Sequence, residues 1–125
     1  MIKNLTNEEI YVYANMLAQA FQDGNQQLPI RINFPLQKNK TILMDLAREI
    51  EQERFKIAQA YGELNEEEQR YVIPSEQAEI VNKEISNLFA ITQEVNLLTI
   101  NINSINENLM LSANQMNALM FMIEE

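Results

Sequence analysis

Apolar residues along this chain recur with two periods, and the changes of period mark its elements. Ile10, Tyr13, Ala14, Leu17 and Phe21 follow one another at three- and four-residue steps, so a helix would carry them on one face. Two signals mark its start: Thr6 and Glu9 form a capping box, and Leu5 and Ile10 occupy the positions of a hydrophobic staple. The spacing predicts a helix over about residues 7–22, with Asp23 and Gly24 as the stop and Tyr11 off the apolar face.

The period then changes. In LPIRINFPL, Ile30, Ile32, Phe34 and Leu36 alternate with Arg31, Asn33 and Pro35, the pattern of a half-buried strand. Pro29 and Pro35 cannot donate to a ladder, which predicts an edge position. A long helix over about residues 39–61 follows, with Leu43, Leu46, Ala47, Ile50, Ile57 and Tyr61 as its stripe and Gly62 as its stop. Arg54 falls within that stripe by helical angle. Its stem would cover apolar surface while the guanidinium reaches a carboxylate such as Glu51 or Glu53, or it would hold a ligand anion. Met44 and Phe55 lie near each other on another face, so the helix is expected to touch two neighbours.

Tyr71, Val72 and Ile73 make a short apolar run ended by Pro74, enough for a brief strand. Ser75 is a candidate N-cap for a helix to about residue 90, with Glu76 and Glu79 in its first turn and Val81, Ile85, Leu88 and Phe89 on its buried face. In EVNLLTININ, Leu98, Ile100 and Ile102 would share one face of a strand, and Val95 and Leu97 the other. Ser112 and Gln115 repeat the capping box, and Leu111 and Met116 the staple. They predict a last helix over about residues 113–123, with Ala113, Met116, Leu119, Met120 and Ile123 on its inner face. A step of about 100° per residue turns Phe121 and Met122 away from that face. These two are expected either beneath another layer of the same domain or on a contact surface, most simply one that meets its own copy in a homo-oligomer. The order of elements predicts an α+β fold, one domain over residues 1–125 with about four helices packed on two or three short strands.

Composition narrows the chemistry. With 125 residues at 46% hydrophobic, the chain can bury an ordinary core without a staple. It has no cysteine and no histidine, which removes thiol chemistry, disulfides, thiolate zinc sites, the usual general base and the commonest metal ligand. Two glycines cannot build a phosphate-binding loop. The serines have no histidine partner, and no lysine is placed beside Ser75, Ser86, Ser104 or Ser112 for a dyad. Glu66, Glu67 and Glu68 are the densest carboxylates, but their spacing is not that of a calcium loop and predicts a solvated loop. Neither a metal nor a cofactor is expected, and the chain is not expected to be an enzyme.

The net charge of −9 is unevenly placed: residues 1–62 carry seven basic and seven acidic side chains, residues 63–125 two and eleven. The few cations argue against a nucleic-acid backbone or an anionic membrane as partner, despite the small group Arg31, Lys38 and Lys40. The acidic second half suits solubility or a basic partner. The opening MIKNLTNEEI lacks the order of a secretion signal, and no stretch has the run of about eighteen apolar residues that spans a bilayer, so a cytoplasmic location is expected.

The segments LPIRINFPLQKN, AREIEQERFKIAQAYGE, YVIP, VNKEISNLF, EVNL and LSANQMNALMFMIEE, taken in order, resemble a family of small uncharacterised proteins of tailed phages and prophages of Gram-positive bacteria. The resemblance covers the chain from residue 28 onward and lies in packing and turn patterns. It implies a phage setting, in the host cytoplasm or the virion, and brings no functional residues with it.

Three expectations follow. The first is a non-enzymatic phage or prophage protein acting through protein contacts, in particle assembly or as an infection accessory factor, with a partner of phage or host origin. The second is an inhibitor of a host defence protein whose acidic half occupies a basic surface built for nucleic acid. The third is an enzyme working through paired carboxylates. Candidate contact residues are Phe121, Met122, Met44, Phe55, Glu66, Glu67 and Glu68, with Arg54 as a buried or ligand-facing charge.

Overall fold

Thr6 ends a strand and caps a helix at the same point. In this computed structural model, which describes residues 1–22, 27–105 and 109–124, strand β1 (Ile2–Thr6) runs directly into helix α1 (Asn7–Ala20). Glu9 N donates to Thr6 Oγ1 at 3.0 Å and Thr6 N donates to the Glu9 carboxylate at 3.0 Å, so the capping box read from the sequence is present. The last turn closes with Phe21 N donating to Leu17 O at 3.2 Å; the expected stop at Asp23 and Gly24 lies outside the described residues. β1 itself was not expected. Of its residues only Leu5 is buried, so it carries no alternating signal and is held by pairing instead.

The largest correction concerns the segment expected as an edge strand. Helix α2 (Ile30–Tyr61) starts at Ile30 rather than at residue 39 and runs for 32 residues, about 48 Å at 1.5 Å per residue. The alternation that suggested a strand also contains two pairs spaced by four. Ile32 and Leu36 fall on the inner face with Asn39 and Leu43, while Ile30 and Phe34 fall outside. Pro29 stands just before the first helical residue, where proline is tolerated. Pro35 sits one turn further in and is buried; it cannot donate to the Arg31 carbonyl, and apolar packing carries the helix through.

The end of α2 was legible. Gly62 N donates to Ala58 O at 2.8 Å, and a methyl group on Gly62 would come within 2.5 Å of that same oxygen and 3.2 Å of Val72 O. Close approach of the chain, rather than a left-handed backbone, requires glycine there. Strands β2 (Glu63–Asn65) and β3 (Arg70–Val72) form an antiparallel hairpin with Leu64 opposite Tyr71.

Ser75 does not cap the next helix. It opens a 3-10 turn, Ser75–Gln77, which passes into α3 (Ala78–Ala90), and neither start has a side-chain cap hydrogen bond. Val81 is buried; Ile85, Leu88 and Phe89 are half-buried. Asn7, at the start of α1, gathers the far end of α3: its N–H donates to Ile91 O, its side chain donates to Leu88 O at 2.8 Å, and its Oδ1 accepts from Gln93 Nε2 at 2.7 Å.

The strand expected from EVNLLTININ is broken in two. β4 (Thr92–Asn96) pairs antiparallel with β1, and after three residues β5 (Ile100–Asn101) begins, followed by a 3-10 turn at Ile102–Ser104. Val95, Leu97 and Ile100 are buried, whereas Leu98 and Ile102 are exposed. The cause is Asn39, fully buried on α2, whose side chain takes both main-chain groups of Leu98. That contact replaces a strand partner and shifts the alternation after Leu97.

At the C-terminal end the second capping box is present around Ser112, and Gln115 also donates from Nε2 to Ala20 O at 3.0 Å, meeting a carbonyl at the end of α1. Helix α4 (Ala113–Leu119) then tightens into a 3-10 turn at Met120–Met122, and β6 (Ile123–Glu124) pairs in parallel with β5. The buried residues Ala118, Leu119, Phe121 and Met122 follow one another at three- and four-residue steps, so the inner face keeps Leu119 but is turned from the expected one. Phe121 and Met122 are buried and Met120 is 62% exposed. Phe121 stacks on Tyr13 of α1 with ring centroids 4.3 Å apart.

The fold is therefore α+β, with four α-helices and three separate two-stranded sheets among the described residues. A single core cluster joins Leu5, Ile10, Leu17, Ile32, Leu36, Leu43, Ile50, Leu97, Ile100, Leu119 and Met122. Among the described residues, nothing on α2 after Ile50 belongs to it. The last three turns of α2, the hairpin and the start of α3 lie outside that cluster and pack on one another as an arm.

Candidate functional site

The arm leaves apolar side chains uncovered because it carries a helix beyond the core that the helix serves. Arg54 shows this directly. It lies about five turns after Leu36 and so at the same helical angle, yet the body has ended and Arg54 is exposed, with its guanidinium 3.3 Å from Glu51. The ion pair with Glu51 is the one foreseen, and Arg54 is exposed rather than buried.

Phe55, on another face, meets Tyr71 of the hairpin edge-on, with centroids 5.7 Å apart at 78°. Leu64 stands opposite Tyr71 across the hairpin, and cross-strand partners share a face. Phe55 remains 53% exposed and Leu64 52%, with Val72 and Ile80 exposed nearby in sequence. Leu64 was missed because it is the sole apolar residue of β2, and a strand of that kind has no periodicity to read.

The tip of the hairpin, residues 66–69, has its own hydrogen bonds. Asn65 Oδ1 accepts from Glu67 N at 3.1 Å and Glu68 N at 3.2 Å, and Gln69, at φ 54°, donates from Nε2 to Glu66 O at 2.6 Å. Residues 51–80 carry eight acidic and three basic side chains. All three cations are paired locally: Arg54 with Glu51, Lys56 with Glu53 at 2.9 Å, and Arg70 with Glu68. Such exposed pairs stabilise little. Among the described residues, Glu63, Glu66, Glu67, Glu76 and Glu79 have no cation within 4.0 Å. The arm thus presents an aromatic and aliphatic face beside carboxylates without local counter-charge.

The other expected contact residues are placed apart from this arm. Met44 lies on the body half of α2, 37% exposed, about three turns before Phe55 on the same side. Phe121 and Met122 are inside the core and form no surface patch.

Sequence reasoning missed a second surface, at the opposite end of α2, because it placed Ile30 and Phe34 in a strand. Ile30, Arg31 and Phe34 line one wall of an open groove of about 710 Å³, with Thr99, Asn101 and Asn103 on the other. Ile30 and Phe34 are among the most exposed large apolar side chains described. Arg31 and Lys38 lie on the same side of α2, and residues 27–44 include Arg31, Lys38 and Lys40 with no acidic residue. Glu124, on β6, accepts from the Thr99 hydroxyl at 3.1 Å.

Among the described residues no three carboxylates gather as a metal cage, and no buried side-chain polar atom lacks a partner. None of the described helices is long and apolar enough to cross a membrane. Comparison with family models, with curated proteins and with solved structures finds no match to this chain.

Proposed function

We propose that this chain is a non-enzymatic phage or prophage protein that works by binding another protein, and that the arm makes the contact. The observation that carries the reading is the exposed face of Phe55, Leu64 and Tyr71 on an arm outside the core. α2 packs on α3 beyond the main core, yet Phe55 and Leu64 stay more than half exposed. A protein partner would bury them as the apolar centre of an interface. The carboxylates of Glu66 and Glu67 at the tip specify a basic rim on that partner, through attraction and by disfavouring acidic competitors. The phage setting is supported by the sequence resemblance alone.

The second reading, inhibition of a host defence protein, uses the same arm: a surface built for nucleic acid is basic, and the unpaired carboxylates would occupy it. The two readings differ in the partner and agree on the element.

A photo-crosslinking residue at Leu64, compared with one at Val12 on α1, tests the arm in cells producing the phage. Discrete adducts are expected from Leu64 and not from Val12, and Glu66, Glu67 and Glu68 replaced together by glutamine should weaken them. Adducts of equal yield at both positions would overturn the assignment.

A further inference from the structure

The two surfaces at the ends of α2 are complementary. One end offers Phe55, Leu64 and Tyr71 beside Glu66 and Glu67; the other offers Ile30 and Phe34 beside Arg31 and Lys38. We propose that the partner of the arm includes a second copy of this chain, with the hairpin of one molecule seated in the groove of the next.

The proposal rests on the reading of the arm as the contact element and adds what it contacts. Charge favours the occupant on the α2 wall, while Glu124, bonded to Thr99, adds a carboxylate beside the far wall. Within residues 27–44 every charge is positive, and among the described residues neither Arg31 nor Lys38 has a carboxylate within 4.0 Å. Within residues 51–80 acids outnumber bases, and those left unpaired include the hairpin tip. α2 has no acidic residue in its first turn and no basic residue in its last, so neither end is neutralised from within the helix. Each apolar patch therefore finds on the other both surface to cover and opposite charge.

Geometry makes the contact intermolecular. The surfaces lie on one continuous helix, with Phe34 and Phe55 about 32 Å apart along it, so the arm cannot fold back into its own groove. Joining unlike surfaces is a heterologous contact, which either closes as a ring or continues as a filament. The groove is open rather than enclosed, and its far wall carries the amide of Asn103 and the amide nitrogen of Asn101, whose oxygen already accepts from Asn103 N; these groups can meet the main chain of an incoming hairpin.

The test uses two variants that each spoil one surface. The arm variant is Glu66→Lys with Glu67→Lys; the groove variant is Arg31→Glu with Lys38→Glu, all four side chains being exposed. Leu64→Ser and Phe34→Ser serve as a second pair, and circular dichroism verifies that each variant is folded. Sedimentation equilibrium should show the parent above its 14.6 kDa monomer mass and rising with concentration, and each variant at the monomer mass. An equimolar mixture of the Leu64→Ser and Phe34→Ser variants should recover a 1:1 dimer and stop there, because only one intact arm and one intact groove remain. A parent that stays monomeric overturns the self-contact and leaves the arm available to a different basic protein. Association by either variant alone, or a mixture that stays monomeric, overturns the pairing of arm with groove.

Discussion

Asn39 and Leu98, 59 residues apart, exchange two hydrogen bonds: the amide nitrogen of Asn39 donates to Leu98 O at 2.8 Å, and its Oδ1 accepts from Leu98 N at 2.8 Å. The side chain acts as a short piece of strand. It holds the chain where β4 has ended and β5 has not begun, and the same nitrogen lies 3.4 Å from the sulfur of Met122. A fully buried asparagine thus ties α2 to the sheets and to the C-terminal turn.

Removing it leaves two main-chain groups without partners. Asn39→Ala should cost about 3 kcal/mol, more than an ordinary hydrogen bond, because an unmet buried donor and acceptor carry their own penalty. Asn39→Asp keeps the acceptor for Leu98 N but sets a second acceptor against Leu98 O, so it should not restore the parent. Urea melts of the three proteins decide the matter. An aspartate variant as stable as the parent would mean that the Leu98 carbonyl is satisfied elsewhere.

The 3-10 turn after α4 makes opposite predictions for neighbouring residues. Phe121, stacked on Tyr13, should cost about 3 kcal/mol when cut to alanine. Met120, 62% exposed, should change stability by less than about 0.5 kcal/mol. Had the α-helix continued with its expected face inward, the order would be reversed. Thermal melts of Phe121→Ala and Met120→Ala read the difference directly.

What the sequence made legible, and what it hid, follows from the range of each signal. Both capping boxes and the stop at Gly62 depend on residues within one turn, and all three appear where the pattern put them. The errors share another cause. Ile30, Ile32, Phe34 and Leu36 satisfy a period of two and a spacing of four equally well, and only the body of the protein decides that Ile32 and Leu36 face in. The break after Leu97 depends on Asn39, which lies in a different element. The arm residues Phe55, Glu66, Glu67 and Glu68 were named from the sequence, but Leu64 and the groove at Ile30 and Phe34 required the tertiary arrangement. Arg54 was ambiguous for the same reason: its angle is a core angle, and only the extent of the core makes it a surface residue.

The cap of α4 can be tested against its nearest neighbour. Gln115 N donates to Ser112 Oγ at 3.1 Å and Ser112 N donates to Gln115 Oε1 at 3.0 Å. Ser112→Ala should cost about 1 kcal/mol, and Asn114→Ala, exposed within the first turn, should be close to neutral. Denaturant midpoints at unchanged slope measure both. Equal losses would place the helix start elsewhere.

The arm should also unfold before the body. Local stability follows buried apolar contact, and the core cluster contains Ile10, Ala14 and Leu17 from α1 but nothing from α2 after Ile50. Val81 on α3 is buried outside that cluster, and α3 packs on α2. Native-state amide exchange should therefore separate two groups. Amides of residues 54–61 and 78–84 should exchange through a partial opening of lower free energy than that of residues 10–17, which exchange only when the whole domain unfolds. Val81→Ala should lower protection of the first group by about 2 kcal/mol, near the low end of the range for a buried aliphatic cut to alanine, because the loosely supported arm can close around the lost methyl groups. Protection of the second group should fall by much less, since the body keeps its own contacts. Equal protection along α2 from end to end would show instead that the long helix opens as one unit with the core.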